Sequence, residues 1–114
     1  MSLDLRVHRV TFFVDDLEAV TAYYRDALGL PAADIREGWS AFLASKHTEI
    51  AFHRGKGRRP RIELLVKGDL REARARLNAR GARLGECKNV RGRAVCVGKD
   101  GDGNSIQLSA EPSA

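Results

Sequence analysis

The 114-residue sequence has no apolar run near the 18 residues that a membrane-spanning helix requires, and no apolar stretch typical of a secretory signal. It has only two cysteines, Cys87 and Cys96. We therefore expect a cytoplasmic protein with no membrane partner and with both thiols reduced. The cysteines flank a predicted hairpin turn at 89–92 at unequal distances, so we expect two small, half-buried side chains that need not face each other.

The sequence also lacks a long block of one charge sign. It has 20 basic and 15 acidic residues, a formal net charge of +5 and a sequence pI near 9.7. This excess favours anionic partners, but the mixed surface does not indicate nucleic acid. The arginines of the predicted second helix lack interleaved aromatic side chains that would stack on bases, so nucleic acid is not expected as a partner.

The chain does contain an internal repeat. Residues 7–29 and 59–81 share one pattern, in which an apolar strand leads to an Asp-Leu helix start and the helix ends at glycine. Short apolar strands at 50–52 and 106–108 close the two halves. A repeat of this length predicts two copies of one unit related by an approximate two-fold axis.

Each half is predicted to be a βαβββ module in a single α+β domain covering 1–114. Module 1 spans about 5–54, a linker 55–60, and module 2 about 61–109. Helices are predicted after Asp15 or Asp16, ending before Gly29, and over 69–79. The predicted strands are 6–14, 31–36, 38–44, 48–54, 61–66, 82–88, 93–98 and 104–109.

Several short motifs occur in a fixed order along nearly the whole chain. Tyr23-Tyr24-Arg25 and Leu28-Gly29-Leu30 follow the first helix start, Gly81-Ala82 follows the second helix, and the run DGDGNSI at 100–106 precedes the last strand. Together these motifs resemble the vicinal oxygen chelate superfamily, which includes glyoxalase I, extradiol dioxygenases and bleomycin-resistance proteins. The resemblance implies curled mixed sheets around a cavity, and a homodimer.

The same resemblance implies that enzymatic members bind one divalent metal ion through the first and last strands of each half. The motifs align these positions with Arg9, Ala51, Arg61 and Gln107. Arginine is cationic and alanine has no donor atom, so only Gln107 offers a weak oxygen ligand. We therefore predict that the chain uses no metal cofactor.

An alternative set of metal ligands stays open. His8, His53 and Glu49 or Glu63 have the residue types of a two-histidine, one-carboxylate site. Strand alternation directs His8 away from the cavity side that Arg9 faces, which disfavours this set unless the alignment shifts by one residue. With one divalent metal bound there, the protein would be a metal-dependent lyase or dioxygenase.

Two arginines facing a cavity need compensating negative charge. Either Glu63 neutralises Arg9 across the predicted axis, or Arg9 and Arg61 clamp the carboxylate or phosphate of a ligand. Aromatic side chains would form the remaining wall. The predicted ligand-binding residues are Arg9, Thr11, Phe13, Trp39, Phe42, Ala51, His53, Arg61, Glu63 and Gln107.

The sequence thus favours a glyoxalase- and bleomycin-resistance-like protein that lacks the usual metal ligands and binds a small anionic molecule in a central cavity. Whether it catalyses a reaction is left open by the sequence. The alternatives are the metal-dependent lyase or dioxygenase and a structural or regulatory domain that binds a protein partner.

Overall fold

A computed structural model describes residues 5–55 and 57–111, so position 56 of the predicted linker lies outside the described residues. The fold is α+β, as predicted. Its helices are α1 (Leu17–Ala22), which continues as a π-helical turn over Tyr23–Ala27, and α2 (Leu70–Ala79). Its strands are β1 (Leu5–Val14), β2 (Ala32–Arg36), β3 (Trp39–Leu43), β4 (Glu49–Arg54), β5 (Arg61–Val66), β6 (Lys88–Val90), β7 (Arg93–Lys99) and β8 (Ser105–Ala110).

The chain divides into two compact units. We call residues 8–61 the N-terminal unit, and residues 62–111 together with 5–7 the C-terminal unit. The strand order is β2-β3-β4-β1 in the first and β5-β8-β7-β6 in the second. In both, the first strand lies beside the last and the strand after the helix forms the edge. Each unit therefore has the βαβββ connectivity that the repeat predicts, whereas the two-fold axis stays a prediction.

The N-terminal unit has its hydrophobic core between α1 and one face of its sheet. Strand β1 pairs in parallel with β4, and β4 pairs antiparallel with β3. Leu17 of α1 packs on Phe42 and Phe52, which are 0 % and 3 % exposed. Because side chains alternate along a strand, the residues between these core positions point to the other face of the sheet.

The C-terminal unit is built in the same way. Leu70 and Ala73 of α2 pack against Val66, Cys96 and Leu108 of its strands. Burying this cluster accounts for the apolar stripe on a helix whose other positions are mostly charged. No helix among residues 5–55 and 57–111 is long and apolar enough to cross a membrane.

Both helices begin and end where the repeat places the signals. The Asp16 carboxylate accepts a hydrogen bond from the Ala19 N–H at 3.0 Å, and Asp69 accepts from the N–H groups of Arg71 and Glu72. Each carboxylate thus satisfies donors that have no partner within the helix. Gly29 and Gly81 adopt φ of 71° and 94°, values that side chains disfavour, and so end the helical segments.

The predicted strand at 82–88 is wrong, because β6 begins only at Lys88. The Asn78 side chain donates to the Leu84 carbonyl at 3.0 Å and accepts from the Leu84 N–H at 2.7 Å. It therefore occupies both backbone groups that a neighbouring strand would use. Arg83 has a φ of 57°, which also interrupts an extended chain.

The predicted β6–β7 turn is misplaced by one residue. Val90 pairs with Arg93, which leaves Arg91 and Gly92 as a two-residue loop with φ of 52° and 79°. Two positive φ values are the signature of the tight hairpin turn that matches strand twist. The shift makes Cys87 and Cys96 equidistant from the turn, so the unequal distances predicted from the sequence are wrong.

Candidate functional site

The sheet face opposite α1 in the N-terminal unit carries most of the predicted ligand-binding residues. Strand pairing arranges this face, which we call the arginine face, in three rows. The rows are Arg9, Glu49 and Leu43; then Thr11, Ala51 and Ala41; then Phe13, His53 and Trp39.

The middle row consists of small residues, and the Trp39 side chain packs against two of them, Ala41 and Ala51. Trp39 forms a buried cluster with Ala41 and Ala51, both 0 % exposed. Arg9 belongs to the first row, yet its Cζ lies 5.3 Å from the centre of the Trp39 ring. The two long side chains therefore meet over the small middle row, and a longer side chain at position 51 would collide with the indole.

Arg9 also forms an ion pair along its own row. Its Nε donates to Glu49 Oε1 at 3.0 Å, and the two side chains are only 24 % and 19 % exposed. Partial burial strengthens such a charge-assisted hydrogen bond relative to one in open solvent. Glu49 and the Trp39 ring together fix the direction in which the Arg9 guanidinium points.

A second guanidinium rests on the same indole. Arg36 faces Trp39 across the β2–β3 pair, and its Cζ lies 5.5 Å from the ring centre. Its Nε contacts Asp34 Oδ2 at 3.1 Å, with both side chains 53 % exposed. An ion pair this exposed is weak, so Arg36 can change rotamer at little cost.

The other end of the third row is also lined by arginines. The Cζ atoms of Arg58 and Arg61 lie 4.6 Å and 5.9 Å from the centre of the Phe13 ring. His53 stands between the two aromatic ends, with ring centres 5.6 Å from Phe13 and 6.1 Å from Trp39. Its Nδ1 lies 2.7 Å from the Arg54 carbonyl oxygen, which orients the ring.

Arginine side chains cluster around these two aromatic rings. Four guanidinium groups contact the Phe13 and Trp39 rings, and two carboxylates, Asp34 and Glu49, pair with arginines of the set. The planar guanidinium fork has a geometry that suits carboxylate and phosphate oxygens.

The structure brings together seven of the ten predicted ligand-binding residues. Phe42 lies on the opposite face, at 0 % exposure in the α1 core. Glu63 and Gln107 belong to the C-terminal unit, where Gln107 Nε2 donates to Glu63 Oε1 across 3.5 Å. The seven on or against the arginine face are Arg9, Thr11, Phe13, Trp39, Ala51, His53 and Arg61.

Sequence reasoning missed Arg36 and Arg58 and considered Glu49 only as a metal ligand. Arg36 was detectable in principle, because it lies three residues before Trp39 across a two-residue hairpin at Glu37-Gly38. Arg58 had no signal, since it lies outside any strand and reaches Phe13 only through the course of its loop.

The alternative metal site is not assembled. Within the described ranges, no three or more His, Cys, Asp or Glu side chains are placed to hold a metal ion. His53 pairs with Phe13 and shares its face, whereas His8 alternates with Arg9 and points to the other side. Of the residues aligned with the superfamily's metal positions, Ala51 has no donor atom and Arg9 and Arg61 are cationic, so they do not fit a metal ion.

Comparison with known proteins identifies the family. The sequence model of the glyoxalase-like domain family matches residues 9–109. The chain therefore belongs to this family and to the vicinal oxygen chelate superfamily that its motifs resemble. No curated protein matches the sequence significantly.

Solved structures with the same fold include a glyoxalase, a dioxygenase and a superfamily member without a more specific name. The Mn(II)-bound glyoxalase of Novosphingobium aromaticivorans matches with a TM-score of 0.74 and 23 % identity, over 91 % of this chain and 38 % of that one. Homoprotocatechuate 2,3-dioxygenase of Arthrobacter globiformis matches with 0.74 and 19 %, over 95 % and 36 %. A glyoxalase/bleomycin resistance protein/dioxygenase superfamily member of Vibrio splendidus matches with 0.65 and 14 %, over 96 % and 100 %.

The chain thus spans little more than a third of the glyoxalase and the dioxygenase. At these identities, the similarity shows the shared fold alone, since one fold hosts many chemistries.

Proposed function

We propose that this glyoxalase-like protein binds a small anionic molecule at the arginine face and needs no metal ion to do so. The observation that carries the proposal is the set of four guanidinium groups held on the Phe13 and Trp39 rings. Arginine stacked on an aromatic ring keeps its in-plane N–H donors available at the edge of the stack.

An unsatisfied donor supports the same proposal. Trp39 Nε1 is buried and has no hydrogen-bond acceptor among the described residues. Leaving such a group unpaired costs about 1–3 kcal/mol, which an oxygen atom of a ligand would recover. Arg36 lies over this ring and is half exposed, so its movement would admit an anion to the indole edge.

The ligand itself would be small and have an apolar part. The His53 and Phe13 rings continue the face beyond Trp39 and offer aromatic contact. A carboxylate or phosphate near Arg9 and Arg36, with an aromatic or aliphatic body over His53, satisfies both features.

A metal-dependent lyase or dioxygenase is the second candidate. It is favoured by the fold shared with the Mn(II)-bound glyoxalase and the dioxygenase. The residues aligned with the metal positions oppose it. A domain that binds a protein partner remains the third.

Thermal unfolding of the purified protein separates these candidates. We would test acetate, benzoate, inorganic phosphate and phenyl phosphate, each with EDTA or with Mn(II), and measure bound metal by mass spectrometry. The proposal predicts that at least one anion raises the Tm equally under both conditions. Stoichiometric Mn, Fe, Ni or Zn with stabilisation only by metal would establish the enzyme candidate instead.

Matched arginine variants locate the effect. Arg36→Gln should abolish most of the anion-dependent rise in Tm, whereas Arg71→Gln, which changes an exposed arginine of α2, should leave it intact. Equal loss in both variants would mean that anions act through net charge alone. No stabilisation by any of the four anions would reject the binding proposal and favour the partner-binding domain.

A further inference from the structure

Cys87 and Cys96 face each other across the β6–β7 hairpin of the C-terminal unit. Strand β6 pairs with β7 through Val90 with Arg93, Asn89 with Ala94 and Lys88 with Val95. Extending this register by one residue puts Cys87 opposite Cys96, and the two side chains are in hydrogen-bond contact. Beyond that point, the Gly85 N–H still donates to the Val97 carbonyl at 2.8 Å. The chain segment that carries Cys87 is therefore held against β7 on both sides of the cysteine.

The hairpin geometry suits a cross-strand bond. Pairs flanking a two-residue loop alternate between hydrogen-bonded and non-hydrogen-bonded, and Cys87–Cys96 falls on a non-hydrogen-bonded position. Cα atoms in such pairs are about 4.5 Å apart, within the separation of about 4.4–6.8 Å that disulfides require. Both side chains also belong to one hydrophobic cluster, in which Cys87 packs against the core containing Cys96.

The two thiols differ in access to solvent. Cys87 is partly exposed, whereas Cys96 is 1 % exposed. Burial is the main cause that raises the pKa of the Cys96 thiol to about 11; the charge of Cys87 and a hydrogen bond with it act in the same direction, and Arg74 opposes them. An external oxidant therefore meets Cys87 first, and Cys96 is reached only from within the protein.

We propose that Cys87 and Cys96 are a redox modification site that forms a reversible intramolecular disulfide on exposure to a peroxide. The Cys87 thiolate attacks one peroxide oxygen, the O–O bond breaks, and Cys87 becomes a sulfenic acid while hydroxide takes up a proton. The Cys96 sulfur then attacks the sulfenic sulfur, loses its proton and releases water. With hydrogen peroxide, two thiols lose two electrons and two protons, and two water molecules form.

The disulfide would fix the edge of the C-terminal unit's sheet. Strand β6 has three residues and is the last strand in the order β5-β8-β7-β6. A short exposed edge strand opens at low cost. A bond between Cys87 and Cys96 would tie the start of this strand to β7, whose Cys96 is in the core.

Peptide mapping tests the site directly, because trypsin separates the two cysteines. Cleavage after Arg83, Lys88, Arg93 and Lys99 puts Cys87 on residues 84–88 and Cys96 on residues 94–99. The folded protein would be treated with hydrogen peroxide, then unfolded in urea, blocked with N-ethylmaleimide and digested without reductant. We expect these two peptides to be covalently joined, two hydrogens lighter than their sum, and released by dithiothreitol.

Variants check the assigned order of events. In Cys96→Ala, peroxide should leave Cys87 as a sulfenic acid that dimedone traps. In Cys87→Ser, the buried Cys96 should react with neither peroxide nor N-ethylmaleimide while the protein is folded. The proposal would be overturned if both wild-type peptides carry N-ethylmaleimide after peroxide treatment. Recovery of Cys87 as sulfinic acid beside a free Cys96 thiol, or disulfides only between chains, would also overturn it.

Discussion

For Arg9, the sequence predicts the position on the sheet but not the residues that its side chain contacts. The repeat aligned Arg9 with a ligand position of the superfamily, and strand alternation put it on the face away from the helix. Its observed contacts, Glu49 beside it and the Trp39 ring above the middle row, depend on a register between β1, β4 and β3. Nothing local in the sequence specifies that register, so the partners could not be predicted.

The Arg9–Glu49 ion pair should contribute measurably to stability. Because both side chains are less than a quarter exposed, Arg9→Gln should lower the free energy of unfolding by about 1–2 kcal/mol. A double-mutant cycle with Glu49→Gln, followed by urea denaturation, measures the coupling. The Arg76–Glu72 pair on α2 is longer, at 3.5 Å, and more exposed, so its cycle should give under about 0.5 kcal/mol. Equal coupling in the two cycles would contradict this difference.

Ala51 should tolerate little enlargement. Its methyl group packs against the Trp39 indole at 0 % exposure. Ala51→Leu should therefore lower the free energy of unfolding by about 1–3 kcal/mol. It should also change the fluorescence emission of Trp39, the one tryptophan of the chain. Ala75→Leu, on the exposed side of α2, is the matched control and should change neither. Unchanged stability and emission in Ala51→Leu would show that the indole does not fill this space.

At the scale of elements, the sequence predicted those parts whose signals are local. Asp16, Asp69, Gly29 and Gly81 mark the helix ends by chemistry that acts within one turn. The segment 82–87 was mispredicted because a side chain of the preceding helix, Asn78, replaces a neighbouring strand as its hydrogen-bond partner. A contact of this kind depends on how the helix ends, which strand patterning does not report.

Asn78 should therefore control the segment that follows α2. Asn78→Ala removes both hydrogen bonds to Leu84 and should lower the free energy of unfolding by about 1–3 kcal/mol, with faster amide exchange at Leu84. Asn78→Asp keeps an acceptor for the Leu84 N–H and loses the donor, so its Leu84 amide should stay more protected than in Asn78→Ala. Identical Leu84 exchange in the wild type and Asn78→Ala would refute this role.

At the scale of the whole molecule, the fold was more predictable than the site. The repeat specified βαβββ twice, and both units have that connectivity with equivalent strand order. The arginine face combines residues from β1, β3 and β4, and the arginines that lie against it come from β2 and the segment around Arg58. The site therefore depends on pairings between elements distant in sequence. Family membership likewise gives the architecture, while the chemistry depends on the particular side chains that occupy the face.

The most direct test of the central claim is a titration of Trp39 fluorescence in EDTA with benzoate, using benzamide as its uncharged analogue. The account predicts that benzoate changes the fluorescence in a saturable way and that added salt weakens this response. Arg36→Gln should lose the response, Arg71→Gln should retain it, and benzamide should produce none. A response that is equal for benzoate and benzamide, or that appears only after Mn(II) is added, would contradict anion binding at the arginine face.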